Sequence, residues 1–192
     1  MDPLEQLDEL APVLGAVVSQ TRADQLDEPT PCAQFRVRGV LGHMIDGATA
    51  FAAGFRGDAA PAPDGVAPAD PVAGFGQAMG GLAEAMHAPG ALERTIAAPF
   101  GEVPGGVFAR FVVLDGLVHG WDLAVATQQD TRMDPSLVEA CFAVIEPQLD
   151  QLKASGAFGG EVAVAADADP QTRLLAMLGR SVSAEIARTE GE

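Results

Sequence analysis

Residues 106–127 read GVFARFVVLDGLVHGWDLAVAT, and the fold turns on this stretch. Phe108, Phe111, Val112, Leu114, Val118 and Leu123 recur at helical spacing, which predicts one long helix from about Gly106 to Thr127. Asp115 and His119 stand four residues apart and Asp122 follows three later, so all three project from one side of that helix. Carboxylate, imidazole and carboxylate on an otherwise apolar face call for an explanation, because unpaired buried charge is costly. A divalent ion held by Asp115 and His119 is one explanation. A surface patch or a satisfied polar cluster is the plainer one, since such pairs at i,i+4 also arise by chance.

On either side of this stretch, three Asp-Pro pairs announce further helices. In Asp2-Pro3, Asp134-Pro135 and Asp169-Pro170, Asp suits the cap and Pro the first helical position. They predict helices from residue 3 to about 22, from 135 to about Lys153, and a short one through Leu178. Leu4, Leu7, Leu10, Leu14, Val17 and Val18 supply the apolar stripe of the first. Val40, Leu41, Met44, Ile45, Ala48 and Phe51 do so for a helix over Val37–Phe55. A helix over Val72–His87 is weakened by Gly74, Gly76, Gly80 and Gly81. Residues 57–71, rich in Pro, Ala, Asp and Gly, read as a loop. Residues 91–103 read as an extended or irregular connection, and 156–166 as irregular with a short extended piece. The expected fold is all-α in the main: an antiparallel four-helix bundle with short irregular or extended insertions, one domain over residues 1–192. No alternation of strands and helices suggests a parallel sheet.

The chain carries 27 acidic and 11 basic residues, a formal charge of −16. That field repels phosphate backbones and anionic membranes, so neither nucleic acid nor a membrane surface is an expected partner. Lys153 is the one lysine, which reads as codon bias of a GC-rich genome. Tyrosine is absent, so none can serve as acid, base or ligand. Met1-Asp2-Pro3-Leu4-Glu5 lacks a signal peptide's basic region and apolar run. No stretch of about 18 apolar residues is free of charge. Cys32 and Cys141 lack CxxC spacing, which argues against a disulfide framework and a cysteine zinc site. A cytoplasmic location is expected.

Chemistry then rests on few residues. The histidines are His43, His87 and His119. Gly39 and Gly47 strip the helix face around His43, and Gly116 and Gly120 flank Asp115 and His119. Small residues of this kind let two helices approach closely or leave a cavity, and both outcomes suit a site between helices; close backbone packing with no ligand is the plainer reading. His43, Asp115 and His119 form the ligand set used for catalytic zinc, or for iron or nickel with open positions. His87, near a helix end, is expected at the surface. Cys32 is expected to pack as a small buried residue, the alternative being a nucleophile near the metal. Cys141 is expected in the core. GxGxxG, GxxxxGK[ST], GxSxG and HExxH are absent.

Three blocks carry a family resemblance. Residues 30–43, TPCAQFRVRGVLGH, are similar to T-P-C-x-x-W-x-V-R-x-L-x-x-H. Residues 115–124, DGLVHGWDLA, are similar to E-x-x-V-H-x-W-D-L-A, and residues 173–180, RLLAMLGR, to R-L-L-A-x-L-G-R. The chain thus resembles actinobacterial metal-binding proteins of the DinB-like superfamily, related to the metal-binding domain of mycothiol-dependent maleylpyruvate isomerase. The resemblance implies a DinB-like four-helix bundle with a metal between helices. His43 and His119 match the motif histidines, and Asp115 stands where the family usually has the longer Glu. Phe35 stands in place of Trp. Asp122 is expected to support the ligands from behind or to link helices, and Trp121 to pack. Zinc is the first expectation, with nickel or iron as alternatives and a low-molecular-weight thiol as cosubstrate. The implied function is a mycothiol-type isomerase or S-transferase acting on a small electrophile. The alternative is a non-catalytic metal- or small-ligand-binding bundle with a degenerate metal site. A small molecule or thiol, and a second copy of the chain as a homodimer, are the expected partners.

Overall fold

A computed structural model describes residues 1–63, 65, 67–98, 101–145 and 159–182. The chain is mainly helical: α1 (Pro3–Gln20), α2 (Val37–Arg56), α3 (Pro71–His87), α4 (Gly105–Thr127), α5 (Pro135–Ile145) and α6 (Pro170–Met177). A 3-10 turn, Ala23–Gln25, follows α1. The last part of the helix expected to reach Lys153 lies outside the described residues.

The Asp-Pro starts act as capping chemistry dictates. Asp2 accepts from the backbone N–H of Leu4 at 2.9 Å, and Glu5 reaches back to the Asp2 N–H, closing a capping box. Asp134 accepts from Ser136 N–H at 2.8 Å, and Asp169 from Thr172 N–H at 3.0 Å. Asp70 does the same for α3, accepting from Ala73 N–H at 3.0 Å. The helix therefore begins at Pro71, one residue before the expected Val72.

The connection at residues 91–103 is more ordered than expected. β1 (Thr95–Ala98) and β2 (Gly101–Pro104) pair antiparallel, with Ile96 opposite Val103. Ile96 is buried, and its Cγ2 lies where a Cβ on Gly54 of α2 would touch it. The hairpin thus seals the ends of α2 and α4, which it contacts.

α4 is the central element. It packs on α1, α2, α5 and the hairpin, while α3 lies against α1 and α2. Ala109, Leu114, Val118 and Leu123 are each at most 1% exposed. With apolar residues on nearly every side, α4 is buried all round rather than along one stripe. Among the described residues, no helix is long and apolar enough to cross a membrane.

After α5, residues 159–168 hold no helix or strand. Val162 N–H donates to Ala176 O at 2.9 Å, tying this segment to α6. α6 packs on α5 and ends in a Schellman turn. Gly179 N–H donates to Ala176 O and Arg180 N–H to Leu175 O, with Gly179 at φ +80°. Glycine fits there because L side chains are strained at such a φ. The turn sends Arg180 back into the core, where it is 4% exposed.

Candidate metal centre

His43 comes from the second turn of α2, and Asp115 and His119 from successive turns of α4. These helices touch, so residues 72 apart in sequence meet. His43 Nε2–H donates to Asp115 Oδ1 at 3.4 Å, and His119 Nε2 lies 3.8 Å from the same oxygen. The two imidazoles meet edge to face, with centroids 4.6 Å apart. One ligand atom from each of the three residues falls within 4.8 Å of the others. Donors held at about 2.0–2.2 Å around a tetrahedral ion stand about 3.4 Å apart. Two imidazoles and a carboxylate at these separations fit a divalent cation in chemistry and, to within a small contraction, in distance. The His43 side chain is 35% exposed and that of Asp115 24%, so the cluster opens to solvent on the α2 side.

The hydrogen bond to Asp115 raises His43 above its ordinary pKa, against burial, which lowers it. For Asp115, burial pushes the carboxyl up. The His43 hydrogen bond and the nearby charges of His119, His43 and Arg180 outweigh burial and hold it below the usual carboxylate value.

Phe35, in the Trp position of the resembled motif, stacks on His43 at 5.3 Å and meets the His119 ring edge-on at 6.2 Å. Its loop is pinned by Thr30, whose hydroxyl donates to Phe35 O at 2.8 Å and to Cys32 O at 3.1 Å. Gly39 makes room for this ring, since a Cβ there would lie 3.1 Å from Phe35 Cδ1. Gly116 and Gly120 face α1 and let it pack closely, leaving only a small cavity beside Asp115. Cβ atoms on them would press on Leu10 and Leu14 of α1, overlapping Leu14 Cδ2 at Gly120. Of the two outcomes open to these glycines, close helix packing holds.

Behind the cluster, Asp122 is fully buried and His119 is 7% exposed. Asp122 Oδ2 accepts from His119 Nδ1–H at 3.0 Å and from Arg180 Nη2–H at 2.8 Å. Its Oδ1 accepts from Arg180 Nε–H at 3.3 Å. Asp122 therefore supports His119 from behind and links α4 to the chain after α6. With Nδ1 protonated by this contact, His119 offers Nε2 toward Asp115.

Cys32 is half-buried rather than buried. Ligand atoms of Cys32, His119 and Asp122 also come within 4.8 Å of one another. That set suits a cation poorly, since the Asp122 carboxylate is already neutralised by Arg180. His87 is exposed and pairs with Asp8 across α1 and α3 at 3.0 Å. Trp121 is buried and packs. Cys141 is buried, and burial pushes its thiol up to about 12, which leaves it protonated and inert. Sequence reasoning gave no role to Arg180. A signal existed: a buried Asp122 needs a cation, and a Gly-Arg pair after a helix end can supply one.

The sequence model of the family described as the mycothiol maleylpyruvate isomerase N-terminal domain matches residues 7–124. An uncharacterized protein of Mycobacterium tuberculosis strain H37Rv is 34% identical over 187 residues, covering 95% of this chain and 100% of the relative. Its counterpart in strain CDC 1551 matches equally. No solved structure matches. The matched segment contains His43, Asp115, His119 and Asp122 and stops short of Arg180. With that coverage, the chain belongs to the family of the mycothiol maleylpyruvate isomerase N-terminal domain.

Proposed function

We propose that this protein binds a divalent metal ion through His43, Asp115 and His119. In this reading it works with a low-molecular-weight thiol of the mycothiol type on a small electrophilic substrate. The observation that carries it is the meeting of two imidazoles and one carboxylate at the partly exposed edge of a buried helix pair. A bound divalent cation would supply Lewis acidity that lowers the pKa of a coordinated thiol. The protein's own part is positional. Asp122 orients His119, Phe35 covers the imidazoles and keeps them from bulk water on one side, and the exposed side of His43 leaves a way in. Isomerisation follows if the thiol adds to the substrate and leaves again; S-transfer follows if it stays. Zinc is the first candidate for this ligand set, then nickel or iron.

The same reading takes the chain as one domain over residues 1–192, an antiparallel four-helix bundle of the DinB-like type built on α1 to α4. It works in the cytoplasm, and a homodimer is its assembly. Family membership and the ring of contacts among these four helices support the bundle. The test is elemental analysis of purified wild type, His43→Ala and His119→Ala. About one metal per chain in the wild type and loss in both variants is the expected result. Equal metal content in all three would sink the site.

A second reading has its own observation. Asp115 is the short acid, and His119 Nε2 stands 3.8 Å from its Oδ1, wider than a tight ion requires. In this reading the protein is a non-catalytic metal- or small-ligand-binding bundle whose metal site is degenerate. Asp115→Glu separates the two: an empty wild type and a filled Glu variant identify a degenerate site.

A further inference from the structure

We propose that Arg180 is a positioning residue for the metal centre. Acting through Asp122, it fixes the tautomer and orientation of His119 and so makes the chain's C-terminal segment part of the site. The inference rests on the metal-binding reading for its consequence, but its geometry stands by itself. Arg180 grips Asp122 with two parallel contacts, Nη2 to Oδ2 at 2.8 Å and Nε to Oδ1 at 3.3 Å. This fork is the arrangement by which arginine gives direction as well as charge. Both residues are nearly sealed from water, at 4% and 0% exposure, so neither has a solvent alternative.

A single Asp122 oxygen, Oδ2, takes both the Arg180 Nη2–H and the His119 Nδ1–H. Arg180 thereby sets where the acceptor for His119 stands. The carboxylate can only accept from Nδ1, so the proton is placed there and the Nε2 lone pair is left facing Asp115 and His43. If Asp122 lost its clamp it could rotate, and His119 could carry its proton on Nε2 instead. Such hydrogen-bond partners of a ligand set its tautomer and its affinity for metal.

The clamp is itself built into the local fold. Arg180 is aimed by the Schellman turn at Gly179, and its Nη1 is held by Leu178 O at 2.8 Å. Gly179 packs backbone to backbone on Gly159, which ties the turn to the segment before α6. None of these residues falls within the matched family segment of residues 7–124.

Two readouts test this: the imidazole nitrogens of His119 by 15N NMR in metal-free protein at about pH 8, above the ordinary histidine pKa, and zinc affinity by competition with a chelating dye. Wild type is expected to show His119 protonated at Nδ1. In Arg180→Met the proton is expected to spread to Nε2, and zinc affinity to fall about ten- to hundredfold. An unchanged tautomer with zinc affinity within about twofold, in a folded Arg180→Met, overturns the proposal. Should Arg180→Met not fold, Asp122→Asn and Asp122→Asn/Arg180→Met replace it, the double variant removing both buried charges together. If Arg180 acts through Asp122, these two share one tautomer and one zinc affinity, and a further loss in the double variant overturns the proposal. A wild type that takes no zinc but whose tautomer shifts in Arg180→Met sinks the metal reading and leaves the positioning role standing.

Discussion

The two sides of the His119 imidazole are built to different standards. On the Nδ1 side, Asp122 and Arg180 are sealed from water and meet at 2.8–3.3 Å, with His119 held at 3.0 Å. On the Nε2 side, Asp115 stands 3.8 Å away and His43, itself 35% exposed, meets Asp115 at 3.4 Å. On the buried side both Asp122 oxygens accept from Arg180 and one also accepts from His119, so the carboxylate holds one geometry. The open side is loose and half wet, which suits groups that must rearrange around an incoming ion. Rigid support and adaptable ligands are thus divided between two faces of one ring.

The largest effect is expected where that division is broken from behind. Asp122→Ala strands the Arg180 guanidinium in the core, and the stability loss is expected to be about 3–5 kcal/mol by denaturant unfolding. His43→Ala, on the open side, is expected to cost less than about 1 kcal/mol. Equal losses for the two would mean that the two sides of the ring are equally rigid.

Asp115→Glu extends the carboxylate by one methylene toward both histidines, and a small cavity of about 20 Å³ beside Asp115 gives it slack. Zinc is expected to bind about tenfold tighter, a gain of about 1.4 kcal/mol. Weaker binding in a folded variant would mean that the short acid already reaches the ion. Gly120→Ala probes the packing that holds α4 against α1. Its Cβ would overlap Leu14, so overpacking of about 1–3 kcal/mol, offset by about 1 kcal/mol of helix propensity, is expected to lower the melting temperature. A raised melting temperature would show that Leu14 yields freely.

The smallest effect is pH-dependent. His43 is raised above 6.5, so its share of the pair's stability is complete below 6.5 and is lost as pH rises through its folded pKa. Asp115 is lowered below 3.8, so its share is complete above 3.8 and is lost as pH falls through its folded pKa. In metal-free protein the pair therefore stabilises between 3.8 and 6.5. Its worth is under about 1 kcal/mol, because both side chains are partly exposed and screened. Thermal melts of wild type and His43→Gln are expected to differ most near pH 5.5 and to converge in mild alkali. A gap that widened in alkali would contradict the pairing.

How much of this was legible in the sequence depended on distance along the chain. α4 was readable because apolar residues recur along its whole length with no Pro to stop it, and Asp115 with His119 because an i,i+4 pair needs no fold to bring it together. The Asp-Pro caps were readable for the same local reason. Asp70-Pro71 was missed because it sits in a proline-rich stretch that reads as loop. The hairpin was missed as a pair because its four-residue strands bury only Ile96, too little for an alternating pattern to show. The flanking glycines left two outcomes open, and only the position of Leu10 and Leu14 decided between them. Arg180 lies 58 residues beyond its partner Asp122, so the Gly-Arg pair signals a turn but not which buried carboxylate the arginine meets.

The anomalous scattering of zinc in crystals of the zinc-loaded protein reads the His43, Asp115 and His119 site directly. One strong peak is expected about 2.0–2.2 Å from His43 Nε2, an Asp115 carboxylate oxygen and His119 Nε2, with Asp122 still bridging His119 and Arg180. A zinc peak elsewhere, or none at that point in crystals shown to contain the metal, would contradict this expectation.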